Sequence, residues 1–385
     1  MIKKSPDNTS QVYDICITGG GLAGLSLAIQ CNRAGYSTLL IEKEKYPFHR
    51  VCGEYISLES WNFLEELGVP LSDMQLPHIT ELLVTSPNGN AIRQTLPLGG
   101  FGISRYALDH QLSQIAMKEQ VLLEEGTKVT DIEFRENLFV ITTTKGIFRS
   151  KVAAGCFGKR SNLDLRWKRP FSKTKTNKLN NYLAVKYHVL ISSRPHEIAL
   201  HNFKNGYCGI SEIEDGKNCL CYLTSGTNLA LHGFDIRKME EKVLMRNPFL
   251  KKIFSDATFL YDNPLTISQI SFDRKSQVEN HVLLIGDAAG MITPLCGNGM
   301  SMALHGSKIA FSEISSFLNG LIDRYELETQ YAQQWESAFS QRLRTGRLLQ
   351  SFFGSPLLTN MMVYALKPLP KVMSLLIRQT HGAPF

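Results

Sequence analysis

The sequence predicts an α/β fold: a Rossmann-like dinucleotide-binding unit built from separated segments, an inserted antiparallel sheet (an α+β insertion) and a helical C-terminal cap. Three observations predict it. Tyr13–Asp14–Ile15–Cys16–Ile17–Thr18 is a short, largely apolar run that stops at Gly19, Gly21 and Gly24, spaced as G-x-G-x-x-G, and restarts as a helix of small residues. A second glycine-rich element, Gly286–Asp287 with Pro294, Gly297 and Gly299, leads into another helix far downstream. The stretch between them is rich in strands, and the chain beyond reads as helical to its end.

The first glycine cluster has the mechanics of a phosphate cradle. Gly19 permits the tight turn out of the strand, Gly21 lets the backbone approach a pyrophosphate, and Gly24 lets helix and strand pack closely. The helix N-terminus then points free N–H groups at phosphate. Ser37–Thr38–Leu39–Leu40–Ile41 reads as a second strand. Glu42 at its end, 18 positions after Gly24, stands where a carboxylate takes the ribose hydroxyls of an adenosine. An ordinary strand–turn–helix is the bland alternative.

At 385 residues and 43% hydrophobic, the chain can bury a core large enough for two intertwined domains. Its formal charge is +7, part of it in one stretch: Lys159, Arg160, Arg166, Lys168, Arg169, Lys173, Lys175 and Lys178. No aromatic platform or recognition motif accompanies those charges, so no nucleic-acid partner is expected. The stretch reads as a solvated connector, or as a patch attracting an anionic substrate, NADPH or an acidic membrane surface. The eight cysteines form no C-x-x-C, and Cys219–Leu220–Cys221 has no histidine at ligand spacing, so no metal site is expected. Met1 to Gln11 is too polar for a signal peptide, which makes a reducing cytoplasm the expected location. No apolar run is long enough to span a bilayer.

In chain order, Tyr46 to Ser57 is a loop, because Pro47 and Gly53 forbid a continuous helix. Arg50, Cys52, Gly53 and Glu54 give it an unusual density of chemistry. Leu58 to Leu67, closed by Gly68, has helical spacing. His78 to Leu98 alternates around a Pro87–Asn88–Gly89 turn and reads as a hairpin of a second sheet. Ile103 to Leu112 returns to a helix with Ser104 as N-cap. Strands follow at 121–123, 128–132, 138–143 and 152–154, and again from about Asn181 to Leu223. Leu229 to Leu250 is a helical interlude, and Tyr325 to Gln350 an amphipathic helix.

Taken together, Gly19-x-Gly21-x-x-Gly24 with Glu42, Arg105 in I-S-R-x-x-L-D-x-x-L, and Gly286–Asp287 followed by Pro294, Gly297 and Gly299 are similar to the FAD-binding fold of p-hydroxybenzoate-hydroxylase-like flavin monooxygenases and the geranylgeranyl reductase family. Arg50–Val51–Cys52–Gly53–Glu54 resembles the R/K-x-C-G-E/G motif of the geranylgeranyl reductase branch. The resemblance covers about Tyr13 to Phe317 and implies a Rossmann-like FAD-binding domain of glutathione-reductase type. It implies residues 10–76, 102–170 and 262–325 as FAD-binding domain, 77–101 and 171–261 as substrate-binding domain, and 326–385 as helical cap.

The resemblance implies that Gly19, Gly21, Gly24, Glu42, Lys43, Arg50, Cys52, Gly53, Arg105, Val129, Gly286, Asp287, Gly297, Gly299 and Met300 hold FAD. Asp287 would accept a ribityl hydroxyl's hydrogen bond. The N–H groups of Gly299 and Met300, with the helix dipole, would stabilise the negative charge of reduced flavin. Val129 would act through its backbone. Cys52 and Glu54 are the catalytic candidates, Glu54 orienting substrate or relaying a proton. A lone cysteine is otherwise an inert, buried small hydrophobe.

Two places depart from the pattern. Phe157 stands where the monooxygenase branch has the aspartate of its Asp–Gly motif. The Y-x-W-x-F-P of geranylgeranyl reductases is reduced to Tyr207 in Tyr207–Cys208–Gly209–Ile210–Ser211–Glu212–Ile213, leaving Tyr207 and Glu212 as substrate candidates. With no second dinucleotide fingerprint, NAD(P)H would bind transiently, or a reduced carrier protein would supply electrons. The tail from Leu357 to Ile377, broken by Pro368 and Pro370, reads as a cap on the substrate domain or as an interfacial patch on a membrane. The expected function is flavin-dependent reduction of a hydrophobic alkene or polyketide-like substrate. The alternatives are an NAD(P)H- and O2-dependent aromatic hydroxylase and a non-catalytic flavin-binding protein.

Overall fold

The computed structural model describes residues 11–173, 181–293, 297–352 and 355–385. Lys175, Lys178, Pro294 and Cys296 lie outside the described residues. Two sheets organise the chain. The first, 8-stranded among these residues, has β1 (Val12–Thr18) at its centre. β1 pairs in parallel with β2 (Thr38–Ile41), the two joined by α1 (Leu22–Arg33), a crossover that keeps the strands side by side. Ile15, Cys16 and Ile17 are fully buried in succession, as expected of a strand covered on both faces.

The chain then leaves for the second sheet and comes back. β3 (Tyr55–Ser57), α2 (Trp61–Glu66), β4 (His78–Thr85) and β5 (Ala91–Gly102) come first. α3 (Arg105–Lys118) returns the chain to the first sheet; Ser104 caps it, its hydroxyl accepting from Ala107 N–H at 3.1 Å. β6 (Leu122–Glu124) extends the parallel run beyond β2. β7 (Val129–Arg135) and β8 (Leu138–Thr143) form an antiparallel meander onto β9 (Ile147–Gly155), which pairs in parallel with β1 on its other side.

Short helices α4 (Asn162–Arg166) and α5 (Pro170–Lys173) follow. The second sheet is then completed by β10 (Tyr182–Leu190), β11 (Glu197–Phe203), β12 (Gly206–Glu212) and β13 (Asn218–Ser225). Helices α6 (Gly226–Leu231), α7 (Ile236–Lys242) and α8 (Pro248–Asp256) cover one face. β14 (Thr258–Phe259) and β15 (Leu265–Ile270) both pair with β10, giving a sheet of nine strands among the described residues. β16 (Val278–Glu279) and β17 (Val282–Leu284) close the first sheet beside β9. α9 (Gly299–Leu318) packs on α1, Ser26 Oγ donating to Ser307 Oγ at 2.7 Å. α10 (Arg324–Phe352) is tied to the sheet by Tyr331, whose hydroxyl donates to Leu284 O at 2.6 Å. α11 (Pro356–Leu366) and α12 (Pro370–Thr380) end the chain as two short helices.

Three expectations need correction. The inserted sheet is mixed, since β11 runs parallel to β4. The β4–β5 hairpin arrives from a distant part of the chain, so no tight turn dictates its direction against β11. The sheet also draws on β3 and β15, which sequence reading had assigned to the first domain; both are short or half-exposed strands with weak periodicity. Finally, the basic stretch after β9 is not a solvated connector throughout. The Arg169 side chain is 1% exposed, donating to Asp164 Oδ1 at 2.8 Å, Ala288 O at 3.0 Å and Ser276 O at 3.1 Å.

Candidate functional site

A cavity of about 990 Å³ opens between the two sheets, at the C-terminal ends of β1 and β2. The turn after β1 forms one wall. Gly19 has φ +103°, and a Cβ there would lie 2.5 Å from Cys156 O, so only glycine fits. Gly24 lies beneath it with its Cβ position against Gly19 O. It brings helix and strand together without itself lining the cavity. α1 starts at Gly21 with no side-chain cap, leaving its first N–H groups for an anion.

Glu42 is buried at the end of β2. Its Oε2 accepts from Gly20 N–H at 2.7 Å and Arg50 Nη2 at 3.0 Å, and its Oε1 from Glu44 N–H at 3.0 Å. A carboxylate offers about four acceptor positions, so one stays open. Arg50 also reaches Asp109 Oδ2 with Nε at 3.0 Å, and Asp109 in turn grips Arg105 through Oδ1 at 2.8 Å and Oδ2 at 2.7 Å. Glu42, Arg50, Asp109 and Arg105 thus form a continuous chain of alternating charge along the wall. Burial pulls the Arg105 pKa down, but Asp109 outweighs it and the guanidinium is held above its ordinary range.

Opposite this wall, Gly286 (φ +66°) turns the chain so that Asp287 faces the cavity. Lys275 supports the turn from behind, donating to Asp287 O at 2.8 Å. Burial lowers its pKa to about 8 despite the attraction of Asp287 and Asp164. Gly297, Gly299 and Met300 line the cavity at the start of α9, which also lacks a side-chain cap. Lys43, Gly53 and Val129 line it as well; the Val129 carbonyl accepts from Asn162 Nδ2 at 3.3 Å. Every expected cofactor residue except Gly24 is therefore on this surface.

The loop Arg50–Glu54 meets the second sheet here. Cys52 is half-buried on the cavity wall, and its carbonyl accepts from Cys219 Sγ at 3.3 Å. Glu54 is fully buried in a left-handed conformation, φ +56°. Its Oε1 accepts from Arg105 N–H at 2.8 Å and from Lys186 Nζ, and its Oε2 pairs with His188 Nε2 at 2.6 Å. Burial would raise the Glu54 pKa, yet the hydrogen bond from His188 and the Lys186 charge bring it below the ordinary value. Burial likewise lowers Lys186 while Glu54 raises it, with a net rise. Both shifts describe one buried ion pair. Glu54, His188 and Cys219 offer ligand atoms within 4.8 Å of one another, but the Lys186 ammonium already neutralises that carboxylate.

From His188 the contacts run outward. Nδ1 pairs with the Tyr261 hydroxyl at 2.7 Å, and that oxygen lies 3.2 Å from His49 Nε2. His49 lines the cavity and stacks on Tyr106 at 4.5 Å between ring centroids. Burial and the Lys186 charge lower the His49 pKa to about 4; burial raises Tyr261 to about 12. Sequence reading missed Asp109, His49, Lys186, His188 and Tyr261. One signal was available: Lys186 and His188 are alternate residues of β10, a strand otherwise almost wholly apolar and buried.

Tyr207 lines the cavity from β12, but Glu212, the other substrate candidate, does not. The two are five residues apart, an odd number, so they point to opposite faces of the strand. At its far end the cavity adjoins an apolar annex of about 110 Å³, with Tyr55, Ile198, Leu200 and Gly297 on both. Leu82 and Val84 line the annex from the sheet, and Met362, Val363 and Ile377 from the cap.

The site fits FAD on its own geometry. Two glycine turns at helix N-termini face one cavity, and two buried polar atoms beside it, Thr18 Oγ1 and Asn298 Oδ1, have no partner among the described residues. A ligand with a pyrophosphate and a row of hydroxyls would satisfy both kinds of group.

The comparisons with known proteins agree with this. The FAD binding domain family matches residues 14–49. The protein named "Conditioned medium factor receptor 1" of Dictyostelium discoideum is 25% identical over 372 residues, covering 89% of this chain and 71% of that one. The digeranylgeranylglycerophospholipid reductase of Methanococcus vannielii is 24% identical over 347 residues, covering 84% and 82%. Among solved structures, that of the flavin-dependent brominase Bmp2 superposes with a TM-score of 0.79 at 20% identity, covering 97% of this chain and 94% of that one. This last likeness is one of fold.

Proposed function

As a geranylgeranyl-reductase-like FAD-dependent oxidoreductase, this chain is an enzyme, and we propose that it reduces a carbon–carbon double bond in a hydrophobic small molecule, polyprenyl- or lipid-like or polyketide-like. The observation that carries this reading is the annex: an almost wholly apolar chamber that shares Tyr55, Ile198, Leu200 and Gly297 with the cavity that bears the glycine turns. An apolar chain is favoured there over water at about 25 cal/mol per Å² of surface removed from solvent.

The N-terminus of α1 and Gly21 would hold the pyrophosphate, Glu42 the adenosine ribose, Asp287 the ribityl chain and the N–H groups of Gly299 and Met300 the flavin ring, an arrangement of glutathione-reductase type. FAD held there would supply hydride chemistry, one alkene carbon taking the hydride. The other carbon needs a proton, and the chain is built to deliver one. One arrangement satisfies all the contacts: His49 N–H donates to the Tyr261 oxygen, Tyr261 O–H to His188 Nδ1, and His188 Nε2–H to Glu54 Oε2. A proton taken up at His49 can pass along this row to Glu54, which lines the same cavity, and from its carboxyl to the alkene carbon, returning Glu54 to the carboxylate. Arg105 N–H and Lys186 hold the resting carboxylate of Glu54 in place, so that it draws the proton inward. Electrons would come from transiently bound NAD(P)H or from a reduced carrier protein.

The test is anaerobic incubation of the FAD-loaded protein with polyprenyl lipids in deuterated water, using NADPH or a reduced ferredoxin as donor. A product heavier by two hydrogens is expected, at least one of them deuterium from solvent with NADPH and both with the ferredoxin, which supplies electrons alone. Oxygen insertion in air into an aromatic substrate would replace this reading with the hydroxylase. A flavin that neither donor reduces would leave a non-catalytic flavin-binding protein.

A further inference from the structure

The cap helices α11 and α12 are apolar on both sides. Their inner face closes the annex with Val363, Met373 and Ile377. On the outer face of α11, Leu357, Met361 and Tyr364 recur at helical spacing and are 70%, 59% and 79% exposed. Leu369, Val372 and Leu375 continue this exposed apolar surface along α12. α11 has no charged residue in its 11 positions. A helix that is apolar all round belongs in a core or in lipid, and here only one side is covered.

Charge identifies what covers the other side. All 35 acidic residues of the chain precede Ser337, so the last stretch carries cations alone. Of these Lys367, Lys371 and Arg378 are exposed, the first between α11 and α12 and the other two on α12. No helix of the described residues is long and apolar enough to cross a membrane, so these helices would lie in the plane of an interface.

We propose that the outer face of α11 and α12 docks on an anionic lipid surface, so that the annex behind it fills from the membrane. The proposal deepens the reading of a lipid-like substrate by naming where that substrate enters. Apolar side chains sink to the acyl boundary while the flanking cations meet lipid phosphates, a division of labour typical of interfacial helices.

The test is co-sedimentation of the FAD-loaded protein with vesicles of phosphatidylcholine alone or containing about 30% phosphatidylglycerol, a content that gives a strongly negative surface. Binding to the anionic vesicles is expected to be about tenfold tighter or more, and to weaken as salt is raised. The charge variant Lys367→Glu/Lys371→Glu and the apolar variant Leu357→Ser/Met361→Ser/Tyr364→Ser should each lose at least about tenfold of that binding. Both alter exposed positions, so flavin absorbance and melting temperature should stay unchanged and report intact folding. Vesicle binding equal in variants and wild type, or none to either vesicle, would overturn the proposal. So would a stable dimer by light scattering that the apolar variant splits, which would make a second copy the occupant. Vesicle binding needs no turnover, so a failed reductase assay beside intact docking would sink the enzymatic reading alone.

Discussion

Glu54 Oε2 and His188 Nε2 lie 2.6 Å apart, joining the loop before β3 to β10, a strand near one end of the second sheet. Lys186 shares the same carboxylate, and both partners are buried. The junction between that loop and β10 is therefore ionic at its centre.

Removing the charge from one side should be costly. Glu54→Gln leaves the Lys186 ammonium buried without its counter-ion, a loss of about 3–5 kcal/mol in other proteins. The double variant Glu54→Gln/Lys186→Met should recover a good part of it. Urea denaturation of the three proteins checks this; a double variant weaker than the single one would show that the pair does not act as a unit.

Acid should weaken the fold through its buried histidines. His201 hydrogen-bonds Thr85 Oγ1 at 2.9 Å inside the second sheet, and burial lowers its pKa to about 3. Unfolding restores a value near about 6.5. Between those values the unfolded chain binds the extra proton, so stability is full above about pH 6.5 and falls towards pH 3. Glu54, with its lowered folded pKa, adds to the loss at the acid end of this window. The urea midpoint measured against pH should fall below pH 6.5, and His201→Gln should flatten the curve. An unchanged slope would remove His201 from the account.

Arg50 sits between the carboxylates of Glu42 and Asp109. Arg50→Met leaves Glu42 without its counter-ion on the cavity wall, Asp109 keeping Arg105, and FAD affinity should drop about tenfold or more, the cost of one charge-assisted contact. Titration of the apoprotein by flavin fluorescence measures it. Arg50→Lys should recover little, since Lys cannot span both carboxylates with a planar fork.

Tyr261→Phe cuts the row between His49 and His188 while leaving the ring in place. Flavin binding and anaerobic reduction should be unaffected, and substrate turnover should slow about 10²-fold, the usual share of a positioned proton donor. The solvent deuterium isotope effect on turnover should rise. A normal rate with an unchanged isotope effect would exclude the row as a proton path.

The legible parts of this molecule were those whose cause is local. The turn at Gly19 is set by spacing along a few residues, the Ser104 cap by its own hydroxyl, and the break in the tail by Pro368 and Pro370. The Glu54 cluster was half legible: the loop advertised its chemistry, but Lys186 and His188 lie more than 130 positions away. Nothing in the sequence pairs them. Glu212 was misplaced because strand parity was ignored, and Arg169 because a run of cations suggests solvent until one of them is found to bind two carbonyls and an aspartate. For the tail, cap and interfacial patch both stayed open, because an apolar helix looks the same whether one side or both are covered.

The order of the strands also constrains how the chain can be made. β1 pairs with β9, about 135 residues later, and β9 with β17, a further 130 or so along. The second sheet likewise waits for β11 to join β4 and for β15 to join β10. The second sheet is incomplete until Ile270, and the first until the segment around Leu284, has left the ribosome, so neither half is finished before about two thirds of the chain is made. Sheets of such high contact order form slowly and expose unpaired edges meanwhile. A shortened chain ending before β17 should therefore emerge as aggregate rather than as an isolated cofactor-binding half.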